Sequence, residues 1–330
     1  MKISILGGGG FLGRKLADRL ATEGRLGVTP ITSLTLFDVT EPPAPEQAEF
    51  PVLALAGDVV QLPEAALPPG TDVVFHLAAV VSAQAEADYD LGRRVNVRGT
   101  DAVIDACRRL TVPGGKPPRV VFTSSVASFS ATQADTLPDD ARQVPGNSYG
   151  AQKAAAELFL ADASRRGFLD AVSIRLPTVV VRPGRPNKAA SSFFSAIIRE
   201  PLLGLDTELP VPDEFAVWIC SPRRAVDWLA HAAVMDTADL GLSRGINPPG
   251  IKVTVGEMLA ALDEVQPGAS AHVNRVADPA IAAIVGTWPA AFEAARARRL
   301  GFAAHEPLVE VVRAFIEDDL EATKADRGQR

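Results

Sequence analysis

The amino terminus runs Met1-Lys2-Ile3-Ser4-Ile5-Leu6, then four consecutive glycines from Gly7 to Gly10, then Phe11-Leu12-Gly13. A short apolar strand that stops on glycine and passes directly into a helical pattern, Phe11–Glu23, leaves the chain few choices. The helix must bring the chain back to the edge of the same sheet, so the next strand pairs parallel through a right-handed crossover. The alternation continues. Strand character appears at Lys2–Leu6, Ser33–Phe37, Val52–Ala56, Val73–Leu77, Val120–Ser124 and Ala171–Arg175, and helical patterns at Phe11–Glu23, Tyr89–Leu110 and Tyr149–Arg166. The strand runs are apolar on both faces, as strands covered by helices on both sides must be. The expected fold is α/β, a Rossmann-type doubly wound parallel sheet.

After Pro177 the pattern changes to a Pro/Arg-rich stretch (Arg182 to Lys188), a helical segment (Ala189 to Arg199) and short strands broken by proline. A smaller, C-terminal substrate-binding part is expected there. The predicted division is 1–177 for the dinucleotide-binding part, with a segment around 226–262 returning to it, and 178–330 mainly for substrate. Within that segment, Gly245 to Leu262 reads as a strand, Pro248-Pro249 and a helix led by Thr254; a last helix is expected over Leu308–Ala322.

Glycines 7, 10 and 13 stand where a dinucleotide's pyrophosphate needs backbone N–H donors and no side chain in the way. The expected cradle is Gly7, Gly10, Phe11, Leu12 and Gly13. The second strand ends in Asp38, whose carboxylate would accept hydrogen bonds from the adenine ribose hydroxyls and repel a 2'-phosphate, so NAD is expected in place of NADP. Asp58 after the third strand could meet the adenine or cap the next short helix, and the sequence does not choose. The fourth strand ends His76-Leu77-Ala78-Ala79, with small residues that let the backbone pass close beneath a cofactor. His76 itself reads as a core residue and is given no chemical role.

Tyr149 and Lys153 lie four apart at the start of a helix and so share a face. A free tyrosine ionises near pH ~10, and a lysine cation together with the positive nicotinamide ring, both in a partly dry cleft, is expected to make it a usable base. Thr123-Ser124-Ser125 brings hydroxyls to the carboxyl edge of the sheet, where open α/β sheets bind ligands. Glycine loop, strand-end acid, strand-end serine and Tyr-x-x-x-Lys in this order resemble the extended short-chain dehydrogenase/reductases, the group that includes sugar-nucleotide epimerases and dehydratases. The resemblance spans nearly the whole chain. It implies Ser125, Tyr149 and Lys153 as a catalytic triad, Asp58-Val59 at the adenine, Leu77, Ala78, Ala79 and Pro177 on the nicotinamide side, and Asn96 as support for the site.

The run from Arg182 through Ser192 to Phe194 places cations, an amide and hydroxyls at a helix start, which suits an anion. It is similar to the branch of that family that oxidises four-carbon sugar acids at C2. A small sugar acid is therefore the expected partner, with Ser82, Ser125, Tyr149, Arg182, Asn187, Lys188 and Ser192 as its contacts. Competing expectations are a nucleotide-sugar epimerase, a dehydrogenase of another aldonate or uronate, and a non-catalytic cofactor sensor. Against the epimerase, the strand-end serine is followed by Val126-Ala127 where those enzymes commonly carry Tyr-Gly.

The remaining composition mainly excludes. A net charge of −7 with 33 scattered basic residues leaves no basic footprint for nucleic acid. Two cysteines, Cys107 and Cys220, are too few for a disulfide framework and suggest no metal site. With no leader pattern and no membrane-length apolar run, a cytoplasmic protein is expected, and by family analogy a homodimer through the Tyr89–Leu110 and Tyr149–Arg166 helices.

Overall fold

All six apolar runs enter one sheet. The computed structural model describes residues 1–111, 114–130, 136–185 and 190–328. Its central strands are β1 (Lys2–Leu6), β2 (Ser33–Asp38), β3 (Val52–Ala56), β4 (Val73–His76), β5 (Arg119–Ser125) and β6 (Asp170–Leu176). The second sheet uses β7 (Thr178–Val179), β8 (Ala216–Cys220) and β10 (Ile251–Thr254), while β9 (Gly245–Ile246) joins the central sheet at its edge. The central order is β3-β2-β1-β4-β5-β6-β9, parallel throughout. The direction of strand addition reverses between β1 and β4, and that switch point opens a crevice at the carboxyl ends.

Register levels those ends. Leu6 lies beside Phe37 on one side and His76 on the other, and His76 beside Phe122. The residues that follow, Gly7, Asp38, Leu77 and Thr123, therefore emerge along one rim. Alternation sends Ile3 and Ile5 to one face and Leu6 to the other. The first face packs against Leu16 and Leu20 of α1 (Phe11–Glu23) and Trp228 of a helix at Pro222–Val234. The other face meets Val103 and Leu160 from the helices Gly99–Leu110 and Ser148–Arg165. Each fully buried Leu or Ile contributes roughly 1.5–3 kcal/mol, so the two apolar faces dominate what holds the sheet and its helices together.

The remaining helices used below are α2 (Ser82–Ala87), α3 (Gly99–Leu110), α4 (Ser148–Arg165), α5 (Ser192–Leu202), α6 (Pro222–Val234), α7 (Val255–Val265), α8 (Leu308–Phe315) and α9 (Glu321–Asp326). A third core joins α5, α7, α8 and the second sheet through Phe194, Ile197, Ile219, Leu262 and Phe315. α7 carries a capping box in which Thr254 Oγ accepts from Glu257 N and Glu257 answers at Thr254 N.

Two helices expected as continuous are interrupted. The 89–110 span is a turn of α-helix (Tyr89–Gly92), a π-helix (Arg93–Arg98) and then α3. The 308–322 span is α8, a π-helix (Ile316–Leu320) and α9. A π-turn inserts one residue without breaking the axis, which hydrophobic periodicity alone does not register. Among the described residues no helix is long and apolar enough to cross a membrane.

Candidate active site

The glycine loop fits a dinucleotide by what it excludes. Gly7 sits at φ 91°, and a Cβ on it would lie 2.6 Å from Ala78 N. One on Gly13 would lie 2.1 Å from Gly7 O. Glycine is therefore needed both for the turn and for α1 to start this close to β1 and to the end of β4. Gly10 is the N-cap of α1 and makes no side-chain cap, so the first-turn N–H groups, including those of Phe11, Leu12 and Gly13, meet no capping oxygen from it. Unbranched backbone at a helix amino terminus is the surface on which a pyrophosphate rests. These residues would hold NAD.

Asp38 closes the loop from the side, its Oδ2 accepting from Gly9 N at 2.9 Å and its Oδ1 from Val39 N at 2.7 Å. Asp58 is committed locally: Oδ1 accepts from Val60 N at 3.0 Å, and Oδ2 pairs with Arg94. This is the capping geometry of the two that the sequence left open. Val59 beside it is buried against the Gly99 backbone, where an added Cβ would lie 2.7 Å from Val59 Cγ1.

Beyond β4, Leu77 N and Ala78 N both donate to Leu6 O at 2.8 Å, holding the Leu77-Ala78-Ala79 segment under the crevice. Asn96 comes from the π-turn and is 2% exposed. Its Oδ1 accepts from Val80 N at 2.8 Å, and its Nδ2 donates to Val80 O at 3.0 Å and Gln152 Oε1 at 2.7 Å. One amide thus ties the strand-end backbone to the helix of Tyr149. His76 is fully buried against Thr100 (3.0 Å); burial first and the Lys153 charge second lower its pKa to about 3.

Tyr149 and Ser125 are brought together by a missing side chain. α4 begins after Asn147, whose Oδ1 accepts from Gly150 N at 2.8 Å. A Cβ on Gly150 would lie 1.8 Å from Ala127 O, in the turn after β5, so only glycine lets the helix approach. Ser125 Oγ accepts from Ala127 N at 3.1 Å, and Ser125 lines the same cavity as Tyr149. Lys153, 1% exposed, donates from Nζ to Thr123 O at 2.7 Å and stands 5.7 Å from the Tyr149 ring centroid.

One expectation needs correction. Among the protein's own groups, burial dominates and raises the Tyr149 pKa, opposed first by the Arg182 charge and then by Ser125. Arg182, not Lys153, is the cation that favours the phenolate here. Lys153 is itself shifted down to about 7 by burial, with Glu157 one turn further along α4 opposing that shift.

Ser125, Tyr149 and Arg182 line one cavity of about 60 Å³ together with Val81, Ser82, Val126, Pro177, Thr178, Ser191 and Trp288. Of the predicted substrate contacts, Ser82 opens α2 and Arg182 follows β7. Ser192 starts α5, but the serine lining the cavity there is Ser191. Asn187 and Lys188 lie outside the described residues. A much larger hollow of about 1050 Å³, lined by Met1, Asp72 and Arg119 among others, lies at the amino ends of the strands, away from this chemistry.

Residues 3–224 match the NAD dependent epimerase/dehydratase family. The chain belongs to that family. Membership makes NAD the cofactor, in agreement with Asp38 and the glycine loop, and confirms the extended short-chain dehydrogenase/reductase resemblance. The chain is 45% identical to a D-erythronate dehydrogenase from Cupriavidus necator over 96% of its own length and 98% of that protein's. It is 38% identical to a D-erythronate dehydrogenase from Haemophilus influenzae, over 97% and 100%. A crystal structure described as a nucleoside-diphosphate-sugar epimerase from Agrobacterium tumefaciens superposes with a TM-score of 0.91 at 45% identity, covering 97% of this chain and 95% of that one.

Within this family member, sequence reasoning missed Thr178, Ser191 and Trp288 in the cavity wall. Ser191 adjoins Ser192, and Thr178 adjoins Pro177. Trp288 follows Pro177 by more than a hundred positions and carries no motif. Its Nε1 is buried with no hydrogen-bond partner among the described residues, a donor that costs about 1–3 kcal/mol until an acceptor arrives.

Proposed function

We propose that the protein is an NAD-dependent dehydrogenase that oxidises the C2 hydroxyl of a four-carbon sugar acid, D-erythronate, to 2-dehydro-D-erythronate. The observation that carries the reading is the convergence of a phenol, a serine hydroxyl and an arginine on one cavity of about 60 Å³. Arginine grips a carboxylate, and the two hydroxyls meet the alcohol beside it. The full-length likeness to two D-erythronate dehydrogenases supports the choice of acid.

NAD, when bound, supplies the acceptor for the C2 hydride. Ser125 holds the substrate oxygen, and Tyr149 accepts the hydroxyl proton as the C–H bond breaks. The Arg182 charge favours the phenolate that starts this step, and the same side chain would orient the carboxylate. Lys153 would hold the nicotinamide ribose and Pro177 the ring side, with Asn96 keeping the Val80 backbone in place. Trp288 Nε1 would find its acceptor in a substrate oxygen. Residues 1–177 with the returning strand would carry NAD, and 178–330 mainly the acid.

A second reading, sugar-nucleotide epimerisation, is favoured by the description of the solved relative from Agrobacterium tumefaciens. Against it, Ser125 is followed by Val126-Ala127 where those epimerases commonly carry Tyr-Gly. NAD reduction across a panel of four-carbon aldonates decides: NADH should accumulate with D-erythronate, and sugar-nucleotide interconversion without net NADH would reverse the choice. Tyr149→Phe should lower kcat by ~100- to 10,000-fold while NAD binds as before; unchanged turnover would defeat the assignment of Tyr149 as the base.

The protein is proposed to work in the cytoplasm as a homodimer through α3 and α4. The free, buried thiols of Cys107 and Cys220 suit a reducing compartment. Leu158 and Phe159, 69% and 46% exposed on the outer side of α4, suit a partner helix.

A further inference from the structure

Arg182 is held by its backbone, and the holding reaches to the end of the chain. Its N–H donates to Ser195 Oγ at 3.0 Å, and its carbonyl accepts from Arg199 Nη1 at 2.6 Å; Ser195 and Arg199 are one turn apart on α5 and 2% and 1% exposed. Arg199 also donates through Nε and Nη2 to Glu200 Oε1, at 2.9 and 2.7 Å. Arg327, just past α9, grips the same carboxylate at both oxygens and donates from Nη2 to Gly184 O at 2.7 Å. From α9 itself, Thr323 Oγ accepts from Gly184 N at 3.4 Å. Two arginines thus share one buried glutamate, and each also holds a carbonyl of the 182–184 segment.

Such a triad is a poor device for stability. Removing three charges from water costs several kcal/mol per ion, and apolar residues of similar volume would commonly serve at least as well. What it supplies is fixed position: planar guanidinium forks tie α5, the C-terminal helix and the 182–184 backbone at set distances and angles. The only one of those elements that reaches the cavity with a cation is the 182–184 segment, through Arg182.

We propose that the Arg199–Glu200–Arg327 triad is a positioning device for Arg182, making the C-terminal helix a determinant of affinity for the substrate carboxylate. The inference rests on the reading of Arg182 as the carboxylate anchor. Arg199, Glu200 and Arg327 are positioning residues that act through Arg182 without touching substrate. Loss of Arg327 leaves Arg182 in the chain but frees the Gly184 carbonyl and half-releases Glu200, so the anchor should loosen while the phenol, serine and glycine loop stay in place.

The test is steady-state kinetics of the full-length enzyme with D-erythronate at saturating NAD, alongside NAD affinity and Tm. Arg327→Ala should raise KM for D-erythronate about tenfold and, because the Arg182 charge also favours the Tyr149 phenolate, lower kcat near neutral pH as well, with NAD affinity changed less than about twofold, and Arg327→Lys should recover part of the loss. In an Arg182→Ala background, Arg327→Ala should add nothing, because the route runs through Arg182. If Arg182→Ala raises KM while Arg327→Ala leaves it unchanged, or adds its full effect on top of Arg182→Ala, the positioning role is overturned and the anchor stands. If Arg182→Ala itself leaves KM unchanged, the anchor falls and the triad's role with it. Should Arg327→Ala not fold, Arg327→Lys carries the same cycle, with about a threefold rise expected alone and none on Arg182→Ala.

Discussion

A single hydrogen atom at position 150 sets how near the proton acceptor lies to the hydroxyl that steadies the substrate. Any Cβ there would meet Ala127 O at 1.8 Å, so Gly150→Ala must push α4 away from the turn after β5. A displacement near ~1 Å at reacting groups costs about 100-fold, and kcat/KM should fall by that order while far-ultraviolet circular dichroism stays native. His76 offers a pH test that involves no catalysis. Its folded pKa of about 3 lies below the ordinary histidine value of 6.5, so below 6.5 the unfolded chain binds a proton that the folded chain refuses. Stability from this residue is complete above pH 6.5 and is lost as pH falls toward 3. Between pH 7 and 5 the wild type should lose about 2 kcal/mol relative to His76→Phe in denaturant unfolding.

At the scale of elements, α4 is organised by its first turn. Asn147→Ala removes the cap on Gly150 N and should cost about 1 kcal/mol in urea unfolding, with Asn147→Ser restoring most of it. The parts of the fold and site that were legible in the sequence are those encoded locally. The glycine loop, Asp38 at a strand end and the Tyr149–Lys153 spacing each need only one strand–loop–helix unit, and the parallel alternation fixes the order of those units. Periodicity could not show the π-turn at Arg93–Arg98, because one extra residue leaves the apolar faces on either side intact. Trp288 entered the cavity, and Arg327 reached Glu200, across separations that no local pattern records; the latter spans 127 residues. The cation that favours the Tyr149 phenolate lies beyond sequence reach for a similar reason. Lys153 was visible as a neighbour four positions on, whereas Arg182 becomes one only when β6 and β7 carry the chain back across the site.

For the molecule as a whole, α4 has two occupations. Its inner side presents Tyr149 and Lys153 to the crevice, and its outer side leaves Leu158 and Phe159 in water. If two copies meet there, the helix of the candidate base is clamped from both sides. Leu158→Glu should shift sedimentation velocity from dimer to monomer at micromolar concentration, and a wild type already monomeric there would refute the arrangement.

The wide turn at Arg93–Arg98 makes this protein open to an unusual kind of lesion. Deleting one residue within it would let the segment relax to ordinary helical winding and spare α3 its packing. The amide of Asn96 would turn about the helix axis and release the Val80 backbone. Shortening the chain by one unit would thus give a well-folded protein with a slack floor beneath its cofactor crevice.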